Sequence, residues 1–201
     1  MAIMVLFSLI GTGFLAYTYE ITKAPIKASK AIEKMKSFEQ VLPRNEYDNN
    51  LLNDFVDVPA GGELNNREVT KVYTARLAGK ATAVILEATA RDGYSGDIKL
   101  LIAVRKDGSL GGVRVIAHKE TPGLGDYIDI AHGDWIKLFD AESLTKTSDE
   151  KWKVKKDGGQ FDYMAGATIT PRAVVKATHS ALSYVAKNQN TLFAEHSAIN
   201  K

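Results

Sequence analysis

Two short segments hold the residues through which this chain of 201 residues could do chemistry. The first is Asp162-Tyr163-Met164-Ala165-Gly166-Ala167-Thr168-Ile169-Thr170-Pro171, directly ahead of a long stretch with helical periodicity. Thr170 suits a helix cap and Pro171 a first helical position, so a helix is predicted to begin there and run to about Asn188. A helix N-terminus offers N–H groups without intrahelical acceptors at the positive end of the dipole, and so attracts anions. Gly166 has no side chain to hold a bulky group off the backbone, and Ala167 is nearly as permissive. Thr168 then places a hydroxyl two residues ahead of the cap. A phosphate could rest there or be esterified there. Taken alone, the same residues also read as a plain loop and cap.

The second segment is His118-Lys119-Glu120-Thr121-Pro122-Gly123-Leu124-Gly125-Asp126, following a predicted strand. Two glycines flanking Leu124 would let a flat ligand approach the backbone. The spacing does not fit a dinucleotide fold, because a third glycine and a surrounding βαβ unit are missing. His118, Glu120 and Asp126 are acid–base or metal-ligand types. His132 is the next histidine, however, and His179 and His196 stand at no ligand spacing, so neither a metal site nor a catalytic residue is assigned. The chain has no cysteine. Disulfides, thiolate nucleophiles and cysteine-held zinc or iron–sulfur clusters are excluded, and a redox role would need an organic cofactor or a metal on His and carboxylates.

These segments must be positioned by a domain of ordinary composition, 45% hydrophobic and 25% charged, with a formal net charge of +2. No basic stripe interleaved with aromatics is present, so nucleic acid is not an expected partner. The first nineteen residues carry no charge. They approach the roughly 20 apolar residues that cross a bilayer, with Tyr17 and Tyr19 where interfacial aromatics belong. A cleaved signal peptide is the competing reading, but no basic n-region precedes the run. Lys23, Lys27 and Lys30 follow it, which by the positive-inside rule alone would put the domain in the cytoplasm. Residues 20–44 continue as an amphipathic linker helix, with Ile26, Ile32, Met35 and Phe38 at helical spacing and Pro43 closing it. Residues 45–66, rich in Asn and Gly, read as loop.

Strands are predicted over 68–77, 81–88, 97–105 and 112–118, with a hairpin turn at Arg105-Lys106-Asp107-Gly108-Ser109. A short helix is expected around residues 135–139, and the alternation in Lys151-Trp152-Lys153-Val154-Lys155-Lys156 reads as one more strand. Val174, Thr178, Ala181, Leu182 and Val185 give the C-terminal helix a buried face. The fold class is α+β: an antiparallel sheet packed with helices, preceded by one N-terminal transmembrane helix. The expected division is 1–19 anchor, 20–44 linker helix, 45–190 ligand-binding domain and 191–201 tail.

Ala165-Gly166-Ala167-Thr168 with Ile169-Thr170-Pro171 behind it resembles the flavinylation motif of the FMN-binding domain family. Glu120-Thr121-Pro122-Gly123-Leu124-Gly125 is similar to that family's second hallmark, and Gly93-Tyr94-Ser95-Gly96-Asp97-Ile98 to a third segment. Their order and spacing, with the membrane segment, most resemble the G subunits of Rnf (Rsx) complexes over residues 1–188. The C subunits of sodium-pumping NADH:quinone reductases are the next likeness. The resemblance implies an FMN joined by a phosphoester to Thr168 by a dedicated flavin transferase, whose recognition motif opens at Asp162. Many members carry Ser or Thr at the position of Ala165, which is not the attachment residue. Around Thr168 the resemblance implicates Ala165, Gly166, Ala167, Ile169 and Thr170. Glu120, Thr121, Gly123, Leu124 and Tyr94, with Met164 nearby, are the expected contacts to the ribityl or ring part. It further implies a single-pass protein of the bacterial inner membrane with its domain on the periplasmic side, against the charge reading. There it would relay electrons in a complex that couples ferredoxin/NAD electron transfer to ion translocation, with the other subunits, the transferase and the lipid bilayer as partners. A cofactor-free anchored accessory module, and an enzyme using FMN on a substrate of its own, are the alternatives.

Overall fold

The computed structural model describes residues 2–194, so most of the tail expected over 191–201, His196 included, lies outside the described residues. The chain divides into two compact units, residues 1–37 and 38–201. Helix α1, Ala2–Val41, runs without a break through Pro25, across the stretch expected as anchor and the one expected as linker helix. Its 40 residues make it about 60 Å long, roughly twice the hydrocarbon thickness of a bilayer. The stretch Ile3–Val41 is long and apolar enough to cross a membrane, and Ile3, Leu6, Phe7, Ile10 and Phe14 are exposed along it. The helix stops just ahead of Pro43, as the restriction on residues preceding proline favours.

The second unit is built on five strands: β1 Phe55–Val58, β2 Thr70–Leu77, β3 Lys80–Gly93, β4 Gly96–Arg105 and β5 Leu110–Ala117. They form one antiparallel meander in chain order, β1-β2-β3-β4-β5. The α+β class and the meander read from the sequence are therefore present. From β2 onward, successive strands join by short hairpins. The β4–β5 turn closes through Arg105 and Gly108, with Gly108 at φ +84°.

Alternate residues of the sheet face two sides. Val84, Leu86, Ala88, Ile98, Leu100, Ile102, Val104, Val113 and Val115 form the main core with Val174, Val175, Ala181, Leu182 and Val185 of helix α2, Ile169–Lys187. On the other side Ile85, Leu101 and Ala103 are also buried. There the end of α1 closes over β5, so tightly that a Cβ on Gly111 would stand 2.8 Å from the Val41 carbonyl oxygen. Phe38 packs on Tyr73 with ring centroids 4.9 Å apart. A short helix, α3 Gln189–Leu192, follows α2.

Two expectations need correction. The stretch 45–66 is not all loop, since Phe55–Val58 pairs with β2 from Phe55↔Tyr73 to Val58↔Thr70. It is a short edge strand with only Val58 buried, so it carries almost no alternation to read. Residues 151–156 do not form a strand. They make two 3₁₀ turns, Asp149–Lys151 and Lys155–Asp157, and one isolated bridge from Val154 to Phe161. The alternation there is real, because Trp152 and Val154 are buried between exposed lysines. It reports packing into an aromatic cluster rather than pairing to a neighbour. Trp135, Phe139, Trp152 and Phe161 stack or meet edge-on, with Phe139 central: 5.5 Å from Trp135, 6.4 Å from Trp152 and 4.8 Å from Phe161. The helix expected near residue 135 is a 3₁₀ turn, Trp135–Phe139.

Glu142 ties this loop-rich region together, accepting hydrogen bonds from Lys146 Nζ (2.6 Å), Thr147 Oγ1 (2.6 Å) and Gln160 Nε2 (3.2 Å). Burial alone would raise its pKa, but the three donors outweigh burial and hold it below the ordinary glutamate value. A depressed folded pKa contributes stability that is complete above the unfolded value of about 4.3 and is lost as pH falls through the folded one. Thermal melts taken from pH 5 downward are expected to fall less steeply for Glu142→Gln than for wild type. Parallel curves would remove Glu142 from the acid response.

Candidate functional site

Helix α2 begins two residues earlier than its sequence suggests. Its cap is Thr168, at φ −82° and ψ −27°, and the cap side chain makes no hydrogen bond to the helix. Thr170 is already helical and does not cap. Its hydroxyl instead donates to Glu120 Oε2 at 2.6 Å. Pro171 is the third helical residue, still within the first turn, where its missing N–H would have had no intrahelical acceptor. The Thr168 hydroxyl is thus left uncommitted by the helix on a half-buried residue.

The approach to Thr168 is a tight turn in which the Ala167 N–H donates to the Met164 carbonyl at 3.1 Å. Gly166, the third residue of that turn, has φ +89°, the left-handed value a type II turn demands there. A Cβ at Gly166 would meet nothing within 4 Å. The glycine is required by its backbone angle, and it leaves the space beside it open. Gly166→Ala is expected to cost about 1–2 kcal/mol in a denaturant melt, the penalty for an L side chain in the left-handed region. Two aromatic side chains hold the turn from below. Trp135 Nε1 donates to the Asp162 carbonyl at 2.7 Å, and the Tyr127 hydroxyl accepts from the Met164 N–H at 3.2 Å. Burial raises the Tyr127 pKa, so the phenol stays neutral at ordinary pH.

The second segment folds as another type II turn. Leu124 N–H donates to the Thr121 carbonyl at 3.1 Å, with Pro122 and Gly123 (φ +75°) at the centre. Gly125 differs in kind from Gly123, because a Cβ there would lie 2.7 Å from Glu120 Oε2 and 2.9 Å from Thr170 Oγ1. Glu120 is buried at 4% exposure, and its Oε1 accepts the Ser95 N–H at 3.0 Å. The Glu120 N–H donates to His118 Nδ1 at 3.1 Å, so His118 braces the loop. The third segment is the β3–β4 hairpin, with Gly93 paired to Gly96 and Tyr94-Ser95 at its tip.

All three segments meet at one cavity of about 200 Å³, lined by Tyr94, Glu120, Thr121, Leu124, Gly125, Gly166, Ala167, Thr168, Ile169 and Thr170. Of the contacts expected from the sequence, Ala165, Gly123 and Met164 do not line it; each belongs to a turn that shapes its wall. Gly125, one of the two glycines flanking Leu124, lines it, whereas the supports Ser95, Tyr127 and Trp135 were not singled out. No spacing in the chain signals those contacts, which link residues 25 to 50 positions apart. Glu120 has both carboxylate oxygens engaged by the protein, so it acts as a wall and tie more than as a free contact.

The cavity pairs a helix N-terminus, which favours anions, with an apolar border. The first turn of α2 holds no acidic residue to repel an anion, and the N–H groups of Ile169 and Thr170 lie in it. Tyr94, Leu124 and Ile169 leave apolar surface exposed around the opening, at 69%, 47% and 46% exposure. Among the described residues no group of three His, Asp or Glu could hold a metal ion.

Comparison with known proteins matches a family model described as FMN-binding domain to residues 93–183, and one described as RnfG N-terminal region to residues 2–41. The G subunit of the ion-translocating oxidoreductase complex of Pseudomonas aeruginosa is 47% identical over 193 residues, covering 96% of this chain and 90% of its own length. The protein of the same name from Vibrio atlanticus is 40% identical over 193 residues (96% and 92%). That from Pseudoalteromonas atlantica is 42% identical over 192 residues (96% and 89%).

Proposed function

The chain belongs to the family of G subunits of ion-translocating oxidoreductase complexes, and from that membership we propose that it is a membrane-anchored electron-transfer subunit of an Rnf-type complex carrying FMN as a phosphoester on Thr168. The observation that carries the reading is the meeting of three distant segments at one cavity beside a threonine hydroxyl that the helix cap does not use.

In this reading Oγ1 of Thr168 bears the phosphate, and the N–H groups of Ile169 and Thr170 face its charge. Gly166 and Ala167 form the turn that keeps the approach open. Tyr94, Leu124 and Ile169 supply the apolar border against which a ring can lie, with Thr121 beside them. The bound FMN supplies the electron chemistry, while the protein supplies attachment, orientation and polarity. An ester cannot be lost by dissociation, which suits a relay held outside the cytoplasm.

Asp162 is exposed and paired to Lys155 at 2.5 Å, open to recognition by a flavin transferase. Residues 1–19 would serve as the anchor, 20–44 as a linker and 45–190 as the FMN-binding domain, lying on the periplasmic side of the inner membrane. The electrons would pass between ferredoxin and NAD through the complex, coupled to ion translocation. Protein purified from the membranes of cells that contain the transferase is expected to give a fluorescent band under ultraviolet light after denaturing electrophoresis. A dark band from such cells would favour a cofactor-free anchored module.

A further inference from the structure

We propose that Glu120 is a positioning residue for Thr168: its carboxylate clamps the β3–β4 hairpin tip and the loop after β5 to the first turn of α2, and so fixes where the Thr168 hydroxyl stands. The proposal rests on reading Thr168 as the attachment point.

Both oxygens of Glu120 are committed, Oε1 to the Ser95 N–H at 3.0 Å and Oε2 to the Thr170 hydroxyl at 2.6 Å. The clamp is sealed, with Glu120 at 4% and Thr170 at 1% exposure. It is also closed by glycine on two sides. A Cβ on Gly93 would lie 3.0 Å from Oε1, and one on Gly125 would lie 2.7 Å from Oε2. Taking a carboxylate out of water is costly, and two neutral donors return only part of that cost. An apolar side chain in the same space would leave the Ser95 N–H and the Thr170 hydroxyl without this acceptor. What an apolar side chain cannot do is fix two partners at hydrogen-bond distance. Thr170 is two residues from Thr168 within one rigid turn, so any slip at Thr170 carries the Thr168 hydroxyl with it. Joining FMN to that hydroxyl forms an Oγ1–P bond as the phosphoanhydride bond of the flavin donor breaks. The donor's other half leaves, and the hydroxyl proton passes to a base of the transferase. Such a transfer is sensitive to a slip, since a misplacement of about 1 Å can cost a reaction roughly a hundredfold.

The test uses the full chain, incubated with flavin transferase and its flavin donor, and follows covalent fluorescence against time. Thr170→Val removes only the hydroxyl that Glu120 accepts and keeps the branched shape. Glu120→Ala removes the clamp, and Glu120→Gln keeps an acceptor for Ser95 while its amide donates to Thr170 Oγ1. Well below their melting temperatures, Thr170→Val and Glu120→Ala are expected to take up flavin at roughly a tenth of the wild-type rate or less, with Glu120→Gln recovering most of it. Amide exchange should quicken at Ser95 and at residues 172–174 in the first two variants. Wild-type uptake rates in folded Thr170→Val and Glu120→Ala would overturn the clamp. A wild-type chain that takes up no flavin would instead sink the reading of Thr168. The clamp would then stand or fall on amide exchange in Thr170→Val: faster at Ser95 supports it, unchanged overturns it.

Discussion

Replacing Thr168 by alanine is expected to abolish covalent flavin completely while leaving the fold almost untouched. The two halves of that outcome have separate causes. Attachment requires the hydroxyl, and alanine has none. Stability is spared because Thr168, although it occupies the cap position of α2, makes no capping hydrogen bond. A working Thr cap is worth about 1 kcal/mol, so a cost below about 0.5 kcal/mol is expected here. In-gel fluorescence and a thermal melt, run on the same preparation, read the two halves separately. Thr168→Ser keeps a hydroxyl and is expected to stay fluorescent. A yellow, stable Thr168→Ala chain would refute the attachment site.

The largest loss of stability is expected from Phe139→Ala. Phe139 is fully buried at the centre of the aromatic cluster, and its deletion should cost about 3–5 kcal/mol in an equilibrium denaturant melt. Phe139→Leu, which leaves a smaller void, should cost less. The consequence for the site runs through Trp135, whose ring meets Phe139 edge-on and whose indole N–H holds the Asp162 carbonyl. Flavin uptake is therefore expected to fall in Phe139→Ala at temperatures where the sheet is still folded. Wild-type uptake together with the full stability loss would show that the cluster supports the core alone.

The reason this region matters was not legible in the chain. Residues 129–163 contain no α-helix or named strand, and their order comes from packed rings and from Glu142, contacts that no period reveals. The period-2 pattern of residues 151–156 correctly marked Trp152 and Val154 as buried, yet burial at alternate positions does not require a partner strand. The meander was legible because Val, Ile and Tyr runs are separated by Gly and Asp-Gly turns. At the site, the three segments were visible as motifs, whereas their convergence was not. The position of the α2 start was misread because Thr170-Pro171 is a strong local helix signal. The tertiary bond from Thr170 to Glu120 took that hydroxyl for another purpose and moved the start to Ile169.

That same bond separates the two hydroxyls to which a flavin phosphate could be joined. Trypsin should release residues 157–172 as one peptide, and it contains two threonines, Thr168 and Thr170. Thr170 is sealed at 1% exposure with its hydroxyl committed to Glu120, whereas Thr168 lines the cavity. Fragmentation of the flavin-bearing peptide by mass spectrometry is expected to place the phosphoester on Thr168 alone. Flavin on Thr170, on another peptide, or on none in protein from transferase-containing cells would contradict attachment at Thr168.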